Sequence, residues 1–297
     1  METIAAARRE IIRELKRAGR EAPEITADLL IGFVIGRDRV FVLSHPEYPL
    51  NDDSHARLFA LMSRRARGEP LQYLTGEREF YGRVFRVTPD VLIPRPETEF
   101  LVETAVALIR ENRKQLPPRI QLADIGVGSG CIAVSVLCEI HDAFCCAIDC
   151  SFPALFIAGE NARRHGVGMR MTRICGDLLT GVASRECFDL ILSNPPYISR
   201  MDYNNLQVEV GGFEPAVALL GGDDGFEIYR RLIPMSFRHL SAGGWLLLEL
   251  GAGQAEEIER QVEDKGFLTE TVVKDLQGIP RCLVARKPSK PPHGGSG

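Results

Sequence analysis

The stretch Ile120-Gln-Leu-Ala-Asp-Ile-Gly-Val-Gly-Ser-Gly-Cys-Ile132 decides the fold of this chain. Its first six residues form the apolar run of a buried strand, and Cys131–Leu137 continues as an apolar helix. Between them stand Gly126, Gly128 and Gly130. Glycines let a backbone approach a ligand closely, and the helix behind them offers unpaired N–H groups at its start. Strand, glycine loop and helix in this order predict a ligand-binding α/β fold.

The spacing of these glycines bears on the kind of ligand. The pattern is G-x-G-x-G, whereas the dinucleotide fingerprint G-x-G-x-x-G seats a pyrophosphate. A ligand without phosphates therefore fits better. The next strand pattern, Ala143–Ile148, ends in Asp149. Its carboxylate can accept hydrogen bonds from both hydroxyls of a ribose, or can instead cap the following helix.

A third strand pattern ends in an acidic residue. Met169–Cys175 is followed by Gly-Asp177-Leu178, and the Asp177 carboxylate could meet an adenine amine. The carboxyl ends of parallel strands share one edge of a sheet, which is where such folds bind ligands. The acids and the glycine loop are therefore expected to lie close together.

Asn194-Pro-Pro-Tyr197 follows the buried-strand pattern Phe188–Ser193. Two prolines fix φ and supply no N–H groups, so the loop has few conformations and its carbonyls are free to accept hydrogen bonds. The Asn194 side-chain oxygen and the Pro195 carbonyl could hold both hydrogens of a planar NH2 group, with the Tyr197 ring against it. Such a grip favours the pyramidal nitrogen that forms as a poor nucleophile attacks carbon. An ordinary turn is the alternative, since Asn-Pro often starts one.

Together these motifs resemble a class I methyltransferase that uses S-adenosylmethionine. Three further segments narrow the resemblance: Leu92-Ile-Pro-Arg-Pro-Glu-Thr-Glu99, Phe213-Glu-Pro-Ala-Val-Ala-Leu-Leu-Gly-Gly-Asp-Asp-Gly225 and Asp275-Leu-Gln-Gly-Ile-Pro-Arg281. With them the chain resembles the peptide chain release factor glutamine N5-methyltransferases, the HemK or PrmC family, over nearly everything except the tail. The resemblance implies that a methyl group passes from S-adenosylmethionine, leaving S-adenosylhomocysteine, to the glutamine of the Gly-Gly-Gln motif of release factors. This is a protein methylation in translation termination.

The same resemblance implies roles for individual residues. The implied cofactor contacts are Asp124, Gly126, Val127, Gly128, Ser129, Gly130, Asp149, Asp177, Leu178 and Asn194. The implied catalytic and glutamine-holding residues are Asn194, Pro195, Pro196 and Tyr197, with Arg95 and Phe100 walling the glutamine pocket. The chain departs from the family pattern at Val127, where Thr is expected, at Leu178, where some members have an aromatic residue, and in Cys150–Pro153. These departures bear on cofactor affinity.

The implied fold is a Rossmann-like, mostly parallel seven-stranded sheet with an antiparallel edge hairpin, joined to a small N-terminal helical bundle. Apolar residues at helical spacing in residues 1–72 favour such a bundle, interpreted as a substrate-recognition domain. Its runs Arg8-Arg9 and Arg64-Arg65-Ala-Arg67 are typical of solvated helix faces, with a docking patch as the alternative. Residues 73–94 are predicted as a β-hairpin linker, 95–287 as the methyltransferase domain, and 288–297 as a disordered tail.

Composition excludes several classes of protein. The 297 residues carry a formal net charge of −4, which argues against a protein that mainly grips a nucleic acid backbone. The eight cysteines contain no C-x-x-C pair and mostly lie in apolar stretches, so we expect reduced thiols and no metal site. No apolar run is long enough to span a bilayer, and the first residues are too polar for a signal peptide. A cytoplasmic monomer without membrane or direct nucleic acid contact is expected.

Three other functions stay open. A DNA or RNA amino-methyltransferase would use the Asn194–Tyr197 loop on adenine or cytosine, but it would need a base-flipping surface and a basic channel. A dinucleotide-dependent oxidoreductase would explain Asp149 and the glycine loop, yet it leaves the Asn-Pro-Pro-Tyr loop without a task. A non-enzymatic module that binds a translation factor would keep the fold without the chemistry.

Overall fold

The computed structural model describes residues 2–183 and 186–289. The chain divides into two compact units, one of Met1–Glu77 with Gln207–Phe213 and one of Arg78–Leu206 with Glu214–Gly297. The predicted disordered tail, 288–297, lies outside the described residues except for its first two positions. Among the helices of the described ranges, none has both the length and the apolar character needed to cross a membrane.

The first unit is a small helical bundle. Its helices are α1 Ile4–Arg17, α2 Pro23–Ile35, α3 Arg39–Ser44, α4 Asp52–Ala66 and α5 Leu71–Thr75, with a two-residue pairing of β1 Glu2–Thr3 and β2 Pro49–Leu50 and a short helix α10 Val208–Gly211. Side-chain oxygens of Thr3, Asp38 and Asn51 accept backbone N–H bonds at the starts of α1, α3 and α4. These caps satisfy N–H groups that a helix leaves unpaired, so the sequence itself fixes where the helices begin.

Three arginines of the two predicted runs form ion pairs within this unit. Arg8 Nε lies 2.6 Å from Oδ1 of the fully buried Asp28. Arg65 is itself buried and lies 2.8 Å from a Glu209 oxygen. Arg64 pairs with Glu69. The Arg8 and Arg65 pairs are therefore at least partly buried within the unit, whereas the Arg64 side chain is exposed.

The second unit contains a seven-stranded sheet in the order β10-β11-β9-β8-β5-β6-β7. Its strands are β5 Ile120–Ile125, β6 Ala143–Asp149, β7 Met171–Cys175, β8 Phe188–Ser193, β9 Leu240–Glu249, β10 Leu268–Lys274 and β11 Pro280–Arg286. The five central strands pair in parallel, whereas β10 and β11 form an antiparallel hairpin on β9. The predicted sheet and its edge hairpin are confirmed.

Helices cover both faces of this sheet. One core cluster packs α6 Glu99–Glu111, α7 Cys131–Glu139 and α8 Phe152–Arg164 on one face. A second packs α11 Glu227–His239 and α12 Ala255–Asp264 on the other. A short helix α9 spans Arg200–Tyr203. The chain runs from β5 outward to β7 and returns to β8 on the opposite side of β5, which creates a topological switch point at the carboxyl ends of β5 and β8.

The hairpin predicted within residues 73–94 forms two four-residue strands, β3 Glu77–Phe80 and β4 Arg83–Arg86, whereas the first three residues of that range belong to helix α5. Tyr81 and Gly82 both have positive φ, 51° and 67°, which is the backbone of a tight hairpin turn. The strand predicted at Met169–Cys175 begins two residues later than expected, because Gly168–Arg170 forms a 3-10 turn.

Candidate active site

The glycine loop is tied to the end of β6. The backbone N–H groups of Gly126 and Val127 both donate to the Ile148 carbonyl, at 2.8 and 3.0 Å. Gly126, Gly128 and Gly130 have φ of 75°, 52° and 83°, a region that disfavours residues with a side chain. A Cβ at Gly130 would also lie 3.2 Å from Ala158 on α8. The loop therefore turns tightly where β5 meets α7.

Asp149 at the end of β6 binds the same loop. Its Oδ2 accepts the Gly128 N–H at 2.9 Å, and its Oδ1 accepts the Ser151 N–H at 2.9 Å. The cap of α8 is supplied by Ser151, whose Oγ accepts the Ala154 N–H at 3.3 Å. The alternative role of Asp149 as the helix cap is therefore wrong. Its carboxylate is oriented by two backbone donors and remains partly exposed.

A cavity of about 250 Å³ opens at the switch point. Seven of the predicted site residues line it: Gly126, Gly128, Asp149, Asp177, Leu178, Asn194 and Pro196. The rest of its wall is mainly apolar and includes Val91, Leu92, Ile125, Ile148, Ala154, Pro215, Val217 and Ile228. The structure thus brings together polar groups from the ends of β5, β6, β7 and β8 around one apolar cavity, the usual character of a small-molecule site.

Other predicted cofactor residues lie behind this wall. Asp124 is fully buried, and its Oδ2 accepts the Ala133 N–H at 3.0 Å in the first turn of α7. Burial, together with the nearby Asp149 charge, raises the pKa of Asp124 to about 7. Val127 packs in the core, and the Ser129 carbonyl accepts a bond from Asn161 Nδ2 at 2.8 Å. In the structure these residues hold the loop in shape, and Gly130 permits its approach to α8.

Asp177, the third acidic residue predicted for the site, forms an ion pair with another cavity residue. The Asp177 carboxylate forms an ion pair with Arg231 of α11, a residue that also lines the cavity. The carbonyl of Asp177 accepts the Thr180 hydroxyl at 2.7 Å. Leu178 has φ of 51°, an uncommon conformation for a residue with a side chain. An adenine contact by Asp177 stays a prediction, and Arg231 is a cavity residue that the sequence did not single out.

The Asn194–Tyr197 loop leaves β8 at the cavity. Asn194 Nδ2 donates to the Thr98 Oγ1 at 3.2 Å, so Oδ1 is the side-chain atom left to accept a hydrogen bond. The Tyr197 carbonyl accepts Gln254 Nε2 at 3.1 Å. Burial raises the pKa of the Tyr197 hydroxyl to about 12, and the nearby Glu249 charge adds to this effect. Pro195 and Tyr197 do not line the cavity as it stands.

Three glycines pack directly against this loop. A Cβ at Gly221 would lie 2.8 Å from the Pro196 carbonyl oxygen, and one at Gly225 would lie 2.5 Å from the Tyr197 carbonyl oxygen. A Cβ at Gly251 would lie 2.9 Å from the Tyr197 ring. The backbone also pairs here, because Ile198 N–H donates to Leu219 and Gly221 N–H donates to Ile198, both at 2.9 Å. The Phe213–Gly225 segment is thus a backbone support for the Asn194 loop.

Gly221→Ala is expected to lower turnover about tenfold, because the added methyl group meets backbone atoms that can move only with the Asn194 loop. Steady-state rates and a thermal melt would be measured together. Gly181→Ala is the matched control, since a Cβ there would make only an ordinary 3.7 Å contact with Ile174. Turnover equal to that of the control variant would show that the loop does not need this close approach.

Arg95 lies apart from the cavity wall, as does Phe100 in the first turn of α6. Arg95 Nη2 is 2.5 Å from Oε1 of Glu214, whose other oxygen accepts the Ile93 N–H at 3.2 Å. Glu214 is only 5% exposed. The ion pair therefore connects the Leu92–Glu99 segment to Glu214, which directly precedes the cavity residue Pro215. A direct contact between Arg95 and the substrate stays a prediction.

Arg95→Ala is expected to reduce the free energy of unfolding by about 1–3 kcal/mol, since it leaves the buried Glu214 carboxylate without its charged partner. A direct role in substrate binding predicts instead a raised KM for the protein substrate in a fully stable variant. Denaturant unfolding and KM would be measured on the same preparation. Arg260→Ala, which removes an exposed helical ion pair, is the control for loss of a surface pair.

Two buried polar residues beside the loop were missed at the sequence level. Thr98, 2% exposed, contacts Asn194 as described. Glu249, also 2% exposed, ends β9, and burial raises the pKa of its carboxyl to about 7 although the Thr98 hydroxyl lowers it. The available signal was a charged residue inside the apolar run Leu246–Leu250, which a buried strand does not normally contain.

Comparison with known proteins gives two family matches. Residues 6–76 match the PrmC N-terminal domain, and residues 101–211 match the methyltransferase small domain. The chain is 39% identical over 287 residues to a release factor glutamine methyltransferase of Koribacter versatilis, a match that covers 97% of this chain and 99% of the relative. It is 40% identical over 272 residues to a release factor glutamine methyltransferase of Geobacter sulfurreducens, covering 92% of each.

Similarity to solved structures concerns the fold. A 16S rRNA methyltransferase of T. thermophilus, in complex with AdoMet and guanosine, matches with a TM-score of 0.50 and 18% identity, over 71% of this chain and 49% of that chain. With the sheet order described above, this match confirms the predicted class I methyltransferase fold.

Proposed function

The chain belongs to the family of release factor glutamine methyltransferases, and on this premise we propose that it transfers a methyl group from S-adenosylmethionine to the side-chain amide nitrogen, N5, of the glutamine in the Gly-Gly-Gln motif of peptide chain release factors. The observation that carries the proposal is the position of Asn194. Its amide is oriented by Thr98 at the wall of the cavity that also presents Gly126, Gly128 and Asp149.

The residues of the cavity fit S-adenosylmethionine. Each Asp149 oxygen already accepts one backbone N–H and keeps a further lone pair for a ribose hydroxyl. Ile148, Ala154 and Ile228 supply an apolar wall for a flat base, while Gly126 and Gly128 present backbone without side chains. When bound, S-adenosylmethionine supplies a methyl group that its positively charged sulfur activates for transfer.

The protein residues orient the acceptor nitrogen. We infer that Asn194 Oδ1 and the Pro195 carbonyl accept the two hydrogens of the glutamine amide and direct its lone pair at the methyl carbon. Positioning of this kind contributes about 7–11 kcal/mol at its limit. The N–C bond forms as the S–C bond breaks, and the methylated nitrogen then loses a proton to water. No strong general base is required before attack, because the amide nitrogen becomes acidic only once methylated.

The N-terminal unit is assigned to recognition of the release factor. Supporting this, α2 presents Ile25, Leu29 and Phe33 at intervals of four residues, and these side chains are 46%, 40% and 43% exposed. A row of exposed apolar side chains on one helix face is a common feature of protein-binding surfaces.

The proposed function is tested with methyl-labelled S-adenosylmethionine and three acceptors in parallel: a bacterial release factor, the same factor with its Gly-Gly-Gln glutamine replaced by alanine, and duplex DNA. Label in the intact factor alone is the expected result. Label in DNA would assign the Asn194 loop to a base amine, and label in both factor forms would move the acceptor to another residue.

A further inference from the structure

Glu249 is an unusual residue for its position. The six residues from Trp245 to Leu250 are all buried, and strand β9 pairs on both sides within the sheet. One carboxyl oxygen of Glu249, Oε2, has no hydrogen-bond partner among the described residues. A buried carboxylate with an incomplete set of partners destabilises a fold relative to an apolar side chain. The fold alone therefore gives no reason for a carboxylate here.

The sheet register places Glu249 beside the Asn194 loop. Parallel pairing of β8 with β9 runs through Ser193 and Leu248, so Asn194 and Glu249 are the next residues along two neighbouring strands. Thr98 is a neighbour of both side chains. Its Oγ1 accepts the Asn194 amide at 3.2 Å, and its hydroxyl is a hydrogen-bonding neighbour of the Glu249 carboxyl. The polar groups of Glu249, Thr98 and Asn194 thus form a connected series, and Asn194 is the member that lines the cavity.

The donor and acceptor properties of these groups determine which of them donates each hydrogen bond. An ionised carboxylate can only accept hydrogen bonds, and a hydroxyl has one hydrogen to donate. When Thr98 donates to Glu249, its oxygen can only accept, so the group of Asn194 that faces it must be the NH2. The amide oxygen of Asn194 is then the group presented at the cavity wall. Without the carboxylate, the Thr98 hydroxyl could donate to the Asn194 oxygen. The Asn194 amide could then rotate so that its oxygen and its NH2 group exchange places.

We propose that Glu249, acting through the Thr98 hydroxyl, fixes the orientation of the Asn194 amide and is a positioning residue for methyl transfer. The inference deepens the proposed function and rests on it, because an acceptor oxygen is what a substrate NH2 group requires. Burial raises the pKa of this carboxyl most and the Glu97 charge adds to that effect, whereas the Thr98 hydroxyl and the Arg281 and Arg95 charges lower the pKa.

The first test is a double-mutant cycle at pH 8, chosen to favour the ionised form of the Glu249 carboxyl, whose pKa burial raises to about 7. Thr98→Val keeps the shape of the side chain but removes the hydroxyl, and it is expected to lower turnover about tenfold with the KM values for S-adenosylmethionine and the factor changed by less than about twofold. Thr98→Ser should recover most of that turnover. Glu249→Gln should lower turnover in the same direction, since an amide can donate as well as accept. Thr271→Val and Glu263→Gln, both exposed, are the matched controls.

The double-mutant cycle distinguishes a role that acts through Asn194 from an effect on the structure that is independent of Asn194. In the Asn194→Ala background, Thr98→Val and Glu249→Gln should each change turnover by less than about twofold, because the residue through which they act is gone. Losses that multiply with that of Asn194→Ala would overturn the proposal.

A second readout needs no substrate. The side-chain amide signals of Asn194 can be recognised by NMR as the pair absent from the Asn194→Ala spectrum. They are expected to shift in Thr98→Val and in Glu249→Gln but not in the two control variants. Unchanged signals in both variants would overturn the positioning role. A wild-type protein that labels no release factor would count against the proposed function alone, since the amide signals still report on the orientation.

Discussion

Asn194→Ala is expected to lower the rate of methyl transfer to a release factor by about a hundredfold or more, with the affinity for S-adenosylmethionine changed by less than about threefold. Asn194 lines the cavity, and because its Nδ2 donates to Thr98, its amide oxygen is the side-chain atom left to accept a hydrogen bond from the substrate. Its interaction with the substrate NH2 group strengthens as the nitrogen becomes pyramidal, so its loss acts on the transition state more than on bound ground states.

Single-turnover rates with labelled S-adenosylmethionine and calorimetric binding would be measured on the same Asn194→Ala preparation. Asn205→Ala is the matched control, because Asn205 is exposed, follows the short helix α9, and donates an Nδ2 hydrogen to the Met201 carbonyl of that helix. Equal losses of rate and of cofactor affinity in a folded variant would contradict the assignment and would make Asn194 a cofactor contact.

Local patterns in the sequence were enough to predict central parallel strands of the sheet and the edge at which they end. The strand predicted at Phe188–Ser193 is the strand observed, and the one predicted at Ala143–Ile148 extends by a single residue to Asp149. Buried parallel strands read as continuous apolar runs bounded by turns, which is a strong signal. Since parallel strands end at one edge, the residues after them could be placed together without knowing any side-chain contact.

Contacts between distant segments could not be predicted in the same way. Thr98 and Asn194 are 96 residues apart, and nothing in either local pattern indicates that they meet. The close approach of Gly221 to the Pro196 carbonyl also depends on how two loops pack. The Phe213–Gly225 segment was noticed only through family resemblance, and its backbone role becomes visible only in three dimensions.

The sequence also could not predict which side chains of the glycine loop face the cavity and which face the core. Val127 and Ser129 alternate with glycines that line or shape the cavity, yet Val127 is 3% exposed and packs into the core. A loop with three positive φ values has no simple periodicity from which to deduce which side chain faces the ligand. The departure from the family pattern at Val127 therefore affects packing behind the wall in the first instance.

Asp149→Ala is expected to weaken S-adenosylmethionine binding about a hundredfold. Two hydrogen bonds from ribose hydroxyls to a charged acceptor contribute about 3 kcal/mol together, and this energy corresponds to that change in Kd. The variant also frees the Gly128 and Ser151 N–H groups that the carboxylate orients. Asp149→Asn keeps one acceptor oxygen and should give an intermediate loss, measured by calorimetry without the release factor.

Asp189→Ala separates the loss of a ligand contact from the loss of a structural bond. Asp189 Oδ2 accepts the Gln121 N–H at 2.8 Å, a carboxylate-to-backbone bond like those of Asp149, but it lies near the start of β8 and does not line the cavity. We expect Asp189→Ala to lower the free energy of unfolding with little change in cofactor affinity. If Asp149→Ala and Asp189→Ala reduce stability alike and both leave Kd unchanged, Asp149 holds the glycine loop and does not hold the ribose.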